Sequence, residues 1–451
     1  MKIRPFYLKP TAGFTLIELM IALVIGAILV LGIASIFVNT SNNIRLQRGI
    51  SNIQESGREA LTRLADDAAA TGAQYCTAVG IQAPRNGFTA QKVIRNFADA
   101  PTSGTAGGLF FGLPGSTDTA VTTSTNPVGP PYNVNPRFFI QGHDCVANAC
   151  TPALTVLGGN PGIVPAAGSA NGERVPNADV LTVRYLQGNG ASLSATSVAT
   201  GGTISFPINP NFAVAGTGGL MRLGFAPPSA NRLFMVADCS KAAIFRGDFS
   251  STGVVAGAVG NTGLNTAPSF RTEDNARVFD LQNNFLTVTY FLQNVTDPNT
   301  TGRVIPTLMR SQNGVTEEVV RGVERLDFRY SVARFRADFT NPSYQTYQWM
   351  TADQVQLASP CPPRPKGIPG FDRFVAGVAE LPLTTDTEMG CNWRAVSAIE
   401  IGMLVTSVDD VPNAETTETY SMDAGAVVTP AAGQLIRREF RAIAPIKAWV
   451  Q

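Results

Sequence analysis

The sequence predicts an α+β fold, in which one long N-terminal helix precedes an antiparallel, strand-rich head. Three observations lead to this prediction: an uncharged apolar run at 19–38, a helical apolar period that continues beyond it, and many short alternating or β-branched runs further along. These runs are not separated by regularly alternating helices, which argues against a parallel sheet. The chain of 451 residues is 44% hydrophobic and 15% charged, the composition of a folded protein with a sizeable core.

The first element is the uncharged run 19–38, which is long enough to cross a bilayer. About 20 helical residues at 1.5 Å rise span the roughly 30 Å hydrocarbon core. Glu18 stands directly before this run, where an ionised carboxylate is costly unless a positive group balances it. The preceding segment 1–13 is basic and contains no acid, so the positive-inside rule keeps the N-terminus cytoplasmic and sends the rest of the chain across the membrane.

The junction between the basic segment and the apolar run resembles the class III signal of type IV prepilins. Gly13 and Phe14 are followed by Thr-Leu-Ile-Glu-Leu-Met-Ile-Ala-Leu. The resemblance implies that prepilin peptidase cleaves after Gly13, that the new amine of Phe14 is methylated, and that the helix stays on the mature protein. It also implies that Glu18 attracts the N-terminal amine of a neighbouring subunit during assembly, because an ammonium within about 4 Å favours the charged carboxylate.

An ordinary secretory signal is the alternative interpretation of the same segment, with cleavage behind Ala34. Such a signal also has a basic start and an apolar centre, but its apolar part normally covers 7–15 residues. The run here is longer and has a carboxylate at its start. The two interpretations predict different mature N-termini, Phe14 and Ser35.

The helix is predicted to continue well past the membrane. Ile50, Ile53, Gly57, Leu64 and Ala68 recur at helical spacings with polar residues between them, which indicates one apolar face. A helix over 15–71 would be about 85 Å long. The alternative is two helices separated near 39–43, where Asn, Thr and Ser offer capping side chains.

The head is predicted to be built from strands, with two low-complexity stretches at 99–135 and 157–177 forming loops or insertions. Asn313-Gly314 is a strong signal for a tight hairpin, although Ser311 and Gln312 would also allow a longer loop. The predicted strands are 179–186, 232–238, 242–246, 285–292, 304–310, 315–320, 325–332, 398–406 and 435–443.

Several stretches of the head resemble the PilW family of minor pilins in the expected order. They begin at Asp179, Ala237, Glu317 and Leu435. The resemblance implies a low-abundance pilus subunit that helps to initiate assembly and sits at the tip. Its partners would be other minor pilins, the major pilin, the inner-membrane assembly platform and prepilin peptidase. A J-like pseudopilin of type II secretion is the alternative within this class, and an exported binding domain or enzyme is the alternative outside it.

The resulting organisation has four parts. A leader covers 1–13, the transmembrane half of the helix covers 14–38, the amphipathic half covers 39–75, and a β-rich head covers 76–451. Stretches near 99–177 and 247–268 look longer than a family member requires, so we expect insertions there. The protein would pass the inner membrane once, with its head in the periplasm, before it reaches the pilus and the cell surface.

Six cysteines lie in the part predicted to be exported, which favours disulfides. Spacing alone does not settle their pairing. Cys145 with Cys150 is the favoured local bridge, and the pilin resemblance favours Cys361 with Cys391 near the C-terminus, which would leave Cys76 with Cys239. A metal site using His143, Asp144, Cys145 and Cys150 is the competing interpretation, but this is the only histidine in the chain.

The sequence offers no persuasive active site, and neither a cofactor nor a metal is expected. It lacks a Gly-x-Ser-x-Gly elbow and a phosphate-binding loop, and a net charge of +1 predicts no specific binding of nucleic acid. The acid pairs are interpreted as solvated charges, since adjacent side chains diverge on a helix or a strand. The same applies to the basic pair at Arg437. A calcium site is a weaker alternative for Asp409 and Asp410, or for Asp386 and Glu388. The acids concerned are Asp66-Asp67, Glu317-Glu318 and Asp409-Asp410 as pairs, with Asp386 and Glu388 as further calcium candidates.

Overall fold

The structure is a computed structural model of the chain, and its described part contains three helices and twenty-two strands. The described residues are 15–72, 93–96, 109–110, 132–133, 139–154, 164–200, 203–208, 232–238, 241–250, 253–256, 270–273, 275–300, 302–335, 345–357, 392–393, 396–411, 419–422, 426–428 and 434–446. The helices are α1 (Leu16–Ala70), α2 (Leu281–Asn284) and α3 (Ala352–Leu357). The strands are β1 (Val93–Asn96), β2 (Leu109–Phe110), β3 (Tyr132–Asn133), β4 (Ile140–Val146), β5 (Ala149–Thr151), β6 (Val180–Leu186), β7 (Ala191–Ser192), β8 (Val198–Thr200), β9 (Thr203–Pro207), β10 (Arg232–Ala237), β11 (Lys241–Ser250), β12 (Gly253–Ala256), β13 (Arg277–Asp280), β14 (Phe285–Thr296), β15 (Val304–Gln312), β16 (Val315–Arg321), β17 (Val323–Phe335), β18 (Gln345–Met350), β19 (Val396–Thr406), β20 (Tyr420–Met422), β21 (Ala426–Val428) and β22 (Arg437–Pro445).

Helix α1 is one continuous helix, as the apolar period predicted, and the alternative of a break near 39–43 is wrong. Thr15 caps its N-terminus, and Thr71 donates its backbone N–H to the carbonyl of Ala68 at the C-terminus. Gly72 then adopts a left-handed φ of 68°, which lets the chain leave the helix axis. At 1.5 Å per residue the helix is about 82 Å long.

Three main sheets form the head, and the predicted α+β class is confirmed. The central sheet has the order β16-β15-β14-β6-β4-β5, and the C-terminal sheet has the order β18-β17-β19-β22. The distal sheet has the order β7-β13-β10-β11-β12-β9-β8, with β1 alongside β11. The strands of the central and C-terminal sheets pair antiparallel.

The main core lies where the second half of α1 packs on the central and C-terminal sheets. Ile53, Ala60 and Leu64 are almost fully buried there, among side chains from both sheets. The approach is close at Gly57, where a Cβ atom would lie only 2.4 Å from the ring of Phe440 on β22. A glycine is therefore needed at this point for the helix to rest on the sheet.

The distal sheet has a separate core made by residues between 191 and 278. Phe206 and Phe245 stack in this core with ring centroids 4.7 Å apart. Except for β1, its strands belong to the segment 187–284, which leaves the central sheet after β6 and returns at β14. Since Leu186 and Phe285 face each other in the β6–β14 ladder, this segment occupies the place of a hairpin loop. We call residues 187–284 the inserted module.

The predicted strands of the head are present, with bounds that differ by a few residues. The tight hairpin at Asn313-Gly314 is confirmed, with left-handed φ values of 50° and 87°, and Ser311 and Gln312 belong to strand β15 instead of a longer loop. The two regions expected to be insertions also contain strands that the sequence interpretation missed. Hairpin β4–β5 joins the central sheet, and β12 joins the distal sheet.

Candidate assembly and anchoring sites

The start of α1 holds Glu18 in a capping box with Thr15. Oε2 of Glu18 accepts hydrogen bonds from the backbone N–H and the hydroxyl of Thr15, both at 3.0 Å, and the Glu18 N–H donates to the Thr15 hydroxyl at 3.3 Å. The Thr-x-x-Glu spacing produces this reciprocal arrangement. Oε1 of Glu18 receives no hydrogen bond from the described part of the chain, so it is available to a further donor. Gly13 and Phe14 lie outside the described residues.

The first half of α1 is exposed along its most apolar part. In the described residues this is the one helix that is long and apolar enough to cross a membrane, and none of its most apolar window is buried within the chain. Its large apolar side chains are between half and three-quarters exposed up to Val38. Such a surface requires lipid or neighbouring helices around it.

The second half of α1 is fixed to the central sheet by a buried carboxylate, Asp67. It accepts hydrogen bonds from the hydroxyls of Tyr185 on β6 and Tyr290 on β14, both at 2.6 Å, and from Nε of Arg310 on β15 at 2.7 Å. Only 12% of the Asp67 side chain and 9% of the Arg310 side chain are exposed. We call Asp67, Tyr185, Tyr290 and Arg310 the carboxylate clamp.

The electrostatics of the carboxylate clamp follow from burial and from the charge of Asp67. Burial raises the pKa of Tyr185 and Tyr290, and the hydrogen bonds to Asp67 and its negative charge raise it further. Burial alone would lower the pKa of Arg310, but the hydrogen bond and the charge of Asp67 outweigh it, so the pKa is raised. Both tyrosines therefore stay neutral and donate, while Arg310 stays charged.

The prediction that the acid pairs are solvated is wrong for Asp67. Spacings of three and four residues place it on the same helix face as Gly57, Ala60 and Leu64, and this face is buried. The helical spacing was a signal in the sequence, but the tyrosines and the arginine that satisfy the carboxylate lie more than one hundred residues away in the chain. Its neighbour Asp66 is exposed, as expected.

The other charged residues predicted to be solvated differ in their exposure and in their ion-pair partners. Glu317 forms ion pairs with Arg63 of α1 and with Arg310, the latter at 3.4 Å, and therefore adds a half-exposed contact between the helix and β16. Arg437 is not solvated as predicted: its side chain is 7% exposed and makes a bidentate pair with Glu324, with distances of 2.7 and 3.1 Å. Glu317 and Arg437 thus both take part in ion pairs within the protein.

A disulfide joins Cys145 to Cys150 across hairpin β4–β5, which is the local bridge favoured by the sequence. Cys76, Cys239, Cys361 and Cys391 lie outside the described residues. Because Cys145 and Cys150 form this disulfide, neither offers a thiolate to a metal ion. Nδ1 of His143 lies 2.7 Å from the carbonyl oxygen of Pro152 and is therefore also engaged.

Asp179 attaches this disulfide hairpin to the C-terminal sheet. Its carboxylate is buried and accepts backbone N–H groups from Cys145 at 2.9 Å and from Phe328 at 3.0 Å. Burial raises its pKa well above the usual range, and the nearby carboxylates of Asp327 and Asp144 raise it further. The residue serves as a structural link between β4 and β17.

Among the residues that the structure describes, no group of three or more His, Cys, Asp or Glu side chains is close enough to hold a metal ion. Asp409 and Asp410 lie on an exposed loop, and Asp410 is 3.8 Å from Arg303. Asp386 and Glu388 lie outside this part of the chain.

Comparison with protein families gives two matches at opposite ends of the chain. The family described as Prokaryotic N-terminal methylation motif matches residues 8–34, and the family described as Type IV Pilus-assembly protein W matches residues 289–447. Together these two regions support a PilW-type pilin. Searches of curated proteins and of solved structures gave no significant match.

The two matches correspond to separate parts of the chain. The methylation motif contains Gly13, Phe14 and Glu18, and the apolar helix that follows fits membrane anchoring and pilus export. The PilW match begins within β14 and includes the strands of the C-terminal sheet. It contains the predicted stretches at Glu317 and Leu435, whereas those at Asp179 and Ala237 lie outside it. The inserted module also lies outside both matches.

Proposed function

We propose that this pilin is a minor pilin, a low-abundance subunit that helps to initiate type IV pilus assembly and sits at the pilus tip. Membership of a pilus-assembly family favours a structural role over an enzymatic one. The tip position is inferred from the location of the inserted module in the head. Its proposed partners are other minor pilins, the major pilin and the inner-membrane assembly platform, with the head on the periplasmic side before export.

The contacts of α1 define which end of the head faces away from the membrane. Near the membrane, Gly49 of α1 approaches Val411 and Ile436. At the other end of the helix, the N–H of Gly72 donates to the carbonyl of Arg184 at 2.9 Å, next to the end of β6. The inserted module begins three residues after Arg184, so it occupies the membrane-distal end of the head.

A bulky distal end favours a terminal position in a filament whose helices run parallel. Each subunit in such a filament must accept another head on its distal side, except for the subunit at the tip. The inserted module, with its own core of aromatic and aliphatic side chains, takes up that side. A pilin of this form would accept partner subunits on its membrane-proximal side and none on its membrane-distal side.

The residues at the N-terminus of α1 are proposed to direct cleavage of the leader and docking of the subunit into the filament. We propose cleavage after Gly13 by prepilin peptidase, methylation of the amine of Phe14, and pairing of Glu18 with the amine of an adjoining subunit. The capping box supports this pairing because Thr15 occupies Oε2 and leaves Oε1 without a described partner. Membrane insertion would then precede assembly, and the carboxylate would become fully balanced only in the filament.

The decisive experiment replaces the inserted module with the turn Asn-Gly. Leu186 and Phe285 already face each other, so a two-residue turn can join β6 to β14 without moving either strand. We expect the shortened pilin to enter pili and to be found along the shaft by immunogold labelling, whereas the complete pilin labels only the ends. Shaft labelling by the complete pilin would refute the tip proposal.

Two further measurements separate the related functions. Mass spectrometry of the purified protein should find N-methyl-Phe14 at the mature N-terminus, and a start at Ser35 would support the secretory signal instead. Deletion of the protein should abolish surface pili. Loss of exoprotein release with normal piliation would favour the type II secretion pseudopilin.

A further inference from the structure

A cavity of about 400 Å³ lies between α1 and the membrane-proximal end of the head. Arg45 and Arg48 line it from the helix, and Arg321, Asp409 and Asp410 line it from β16 and the loop after β19. It lies at the point where the helix first meets the head, one to two turns above the polar residues that follow Val38.

The charges around this cavity are only partly paired. Arg321 is bonded to Glu318 at 3.0 Å, and Asp410 is 3.8 Å from Arg303. Arg45 and Arg48 are exposed and form no ion pair with any other residue that the structure describes, and the same is true of Asp409. The cavity therefore presents two available guanidinium groups and one available carboxylate.

The height of the cavity matches the surface of the bilayer. Arg45 is seven residues beyond Val38, which is about 10 Å along the helix, and the headgroup layer extends about 5–8 Å beyond the hydrocarbon. Helical side chains point toward the N-terminus, which here means toward the membrane. A long arginine side chain from Arg45 can therefore return into the headgroup layer. Arg48 lies about one turn further along the helix and also lines the cavity.

We propose that the cavity binds a membrane phospholipid headgroup that carries both a phosphate and a primary amine, namely phosphoethanolamine. The two guanidinium groups suit a phosphate, which arginine binds through paired charge-assisted hydrogen bonds. The carboxylate of Asp409 suits the ammonium group. A purely anionic headgroup leaves Asp409 without a partner, and a quaternary ammonium has no N–H to donate.

Such a site would hold the head against the membrane before the subunit is extracted into a filament. This inference requires the first half of α1 to be inserted in the membrane, but it does not require a particular position in the pilus. It can therefore hold if the tip proposal fails, and the tip proposal can hold without it.

The test uses the full chain in nanodiscs that contain phosphatidylethanolamine, phosphatidylcholine and phosphatidylglycerol in equal amounts. After mild detergent extraction, native mass spectrometry counts the lipids that remain on the protein. We expect phosphatidylethanolamine to be retained about tenfold over each of the others, as one charge-assisted hydrogen bond would give.

Variants assign the preference to the cavity. The double substitution Arg45→Gln/Arg48→Gln should abolish retention of all three lipids, and Asp409→Asn should remove the preference for phosphatidylethanolamine over phosphatidylglycerol. Arg58→Gln is the matched control, because Arg58 is exposed on the same helix but outside the cavity. Equal retention by the wild type and the double variant would overturn the proposal, as would a photo-crosslinker at Asn52 that labels only protein.

Discussion

Substituting Asp67 tests whether the carboxylate clamp fixes the long helix to the head. In Asp67→Ala the side chains of Tyr185 and Tyr290 lose their acceptor, and the buried guanidinium of Arg310 loses its closest partner. Removing one partner of a buried ion pair costs about 3–5 kcal/mol, because the remaining charge stays buried without compensation. The hydroxyls add to this cost, whereas the pairs of Arg310 with Gln312 and Glu317 reduce it. We therefore expect the free energy of unfolding to fall by about 3–5 kcal/mol.

The measurement is denaturant unfolding of the full chain in detergent micelles. Trp393 reports on the head, because its ring is 2% exposed and lies 4.9 Å from that of Tyr330 in the main core. Asp66→Ala is the matched control, since Asp66 is the exposed neighbour on the same helix, and its effect should stay within about 0.5 kcal/mol. Equal stability of the two variants would refute the structural role assigned to Asp67.

A second substitution distinguishes the lost ion pair from a general loss of packing. In Asp67→Ala/Arg310→Met no charge is left buried, so the double variant should be more stable than Asp67→Ala alone. The coupling free energy between the two positions should be about 2–3 kcal/mol, which is large for a pair of side chains in contact. Strictly additive effects would show that the two side chains do not interact as the structure describes.

Three further outcomes follow from the same structure. Glu18→Ala should leave membrane insertion intact but impair piliation, as measured by carbonate extraction and by electron microscopy, and normal piliation would contradict the proposed pairing. Gly57→Leu should lower the free energy of unfolding by about 1–3 kcal/mol, because the new side chain overlaps the Phe440 ring, and Phe440→Ala in the same chain should recover part of the loss. Cys145→Ala/Cys150→Ala should cost about 2 kcal/mol through the lost cross-link of a short loop, and an unchanged denaturation midpoint would argue against it.

Local patterns in the sequence were sufficient to predict the elements whose stability is local. Helix α1 needs only an apolar period, good capping residues and the absence of proline between Thr15 and Thr71, and each can be read from neighbouring residues. The hairpin at Asn313-Gly314 is similar, since its two left-handed residues are supplied by the residue types that tolerate them. Glu18 was selected as the candidate assembly residue for the same reason, because a single charge beside an apolar run is conspicuous without knowledge of any distant residue, and its role stays a prediction.

Strands in the irregular regions could not be recognised from local patterns. The sequence of hairpin β4–β5 is a short polar stretch around Gly142 and His143, without a clear strand pattern. Its place in the central sheet depends on pairing with β6, about forty residues later in the chain. Pairings of this kind are decided by backbone hydrogen bonds and burial that exist only after distant strands meet. The short strand β12 was missed for the same reason.

The sequence by itself determined the long apolar helix, the methylation motif at its start, and the α+β class, because each depends on residues close together in the chain. Only the tertiary structure showed that Asp67 is buried in a clamp, that Asp179 links two sheets, and that the segment between β6 and β14 contains a separate sheet with its own core. These features depend on contacts between residues separated by tens to hundreds of positions. The two carboxylate sites depend on charges and hydrogen bonds removed from water, and the separate sheet depends on apolar side chains that meet only after folding.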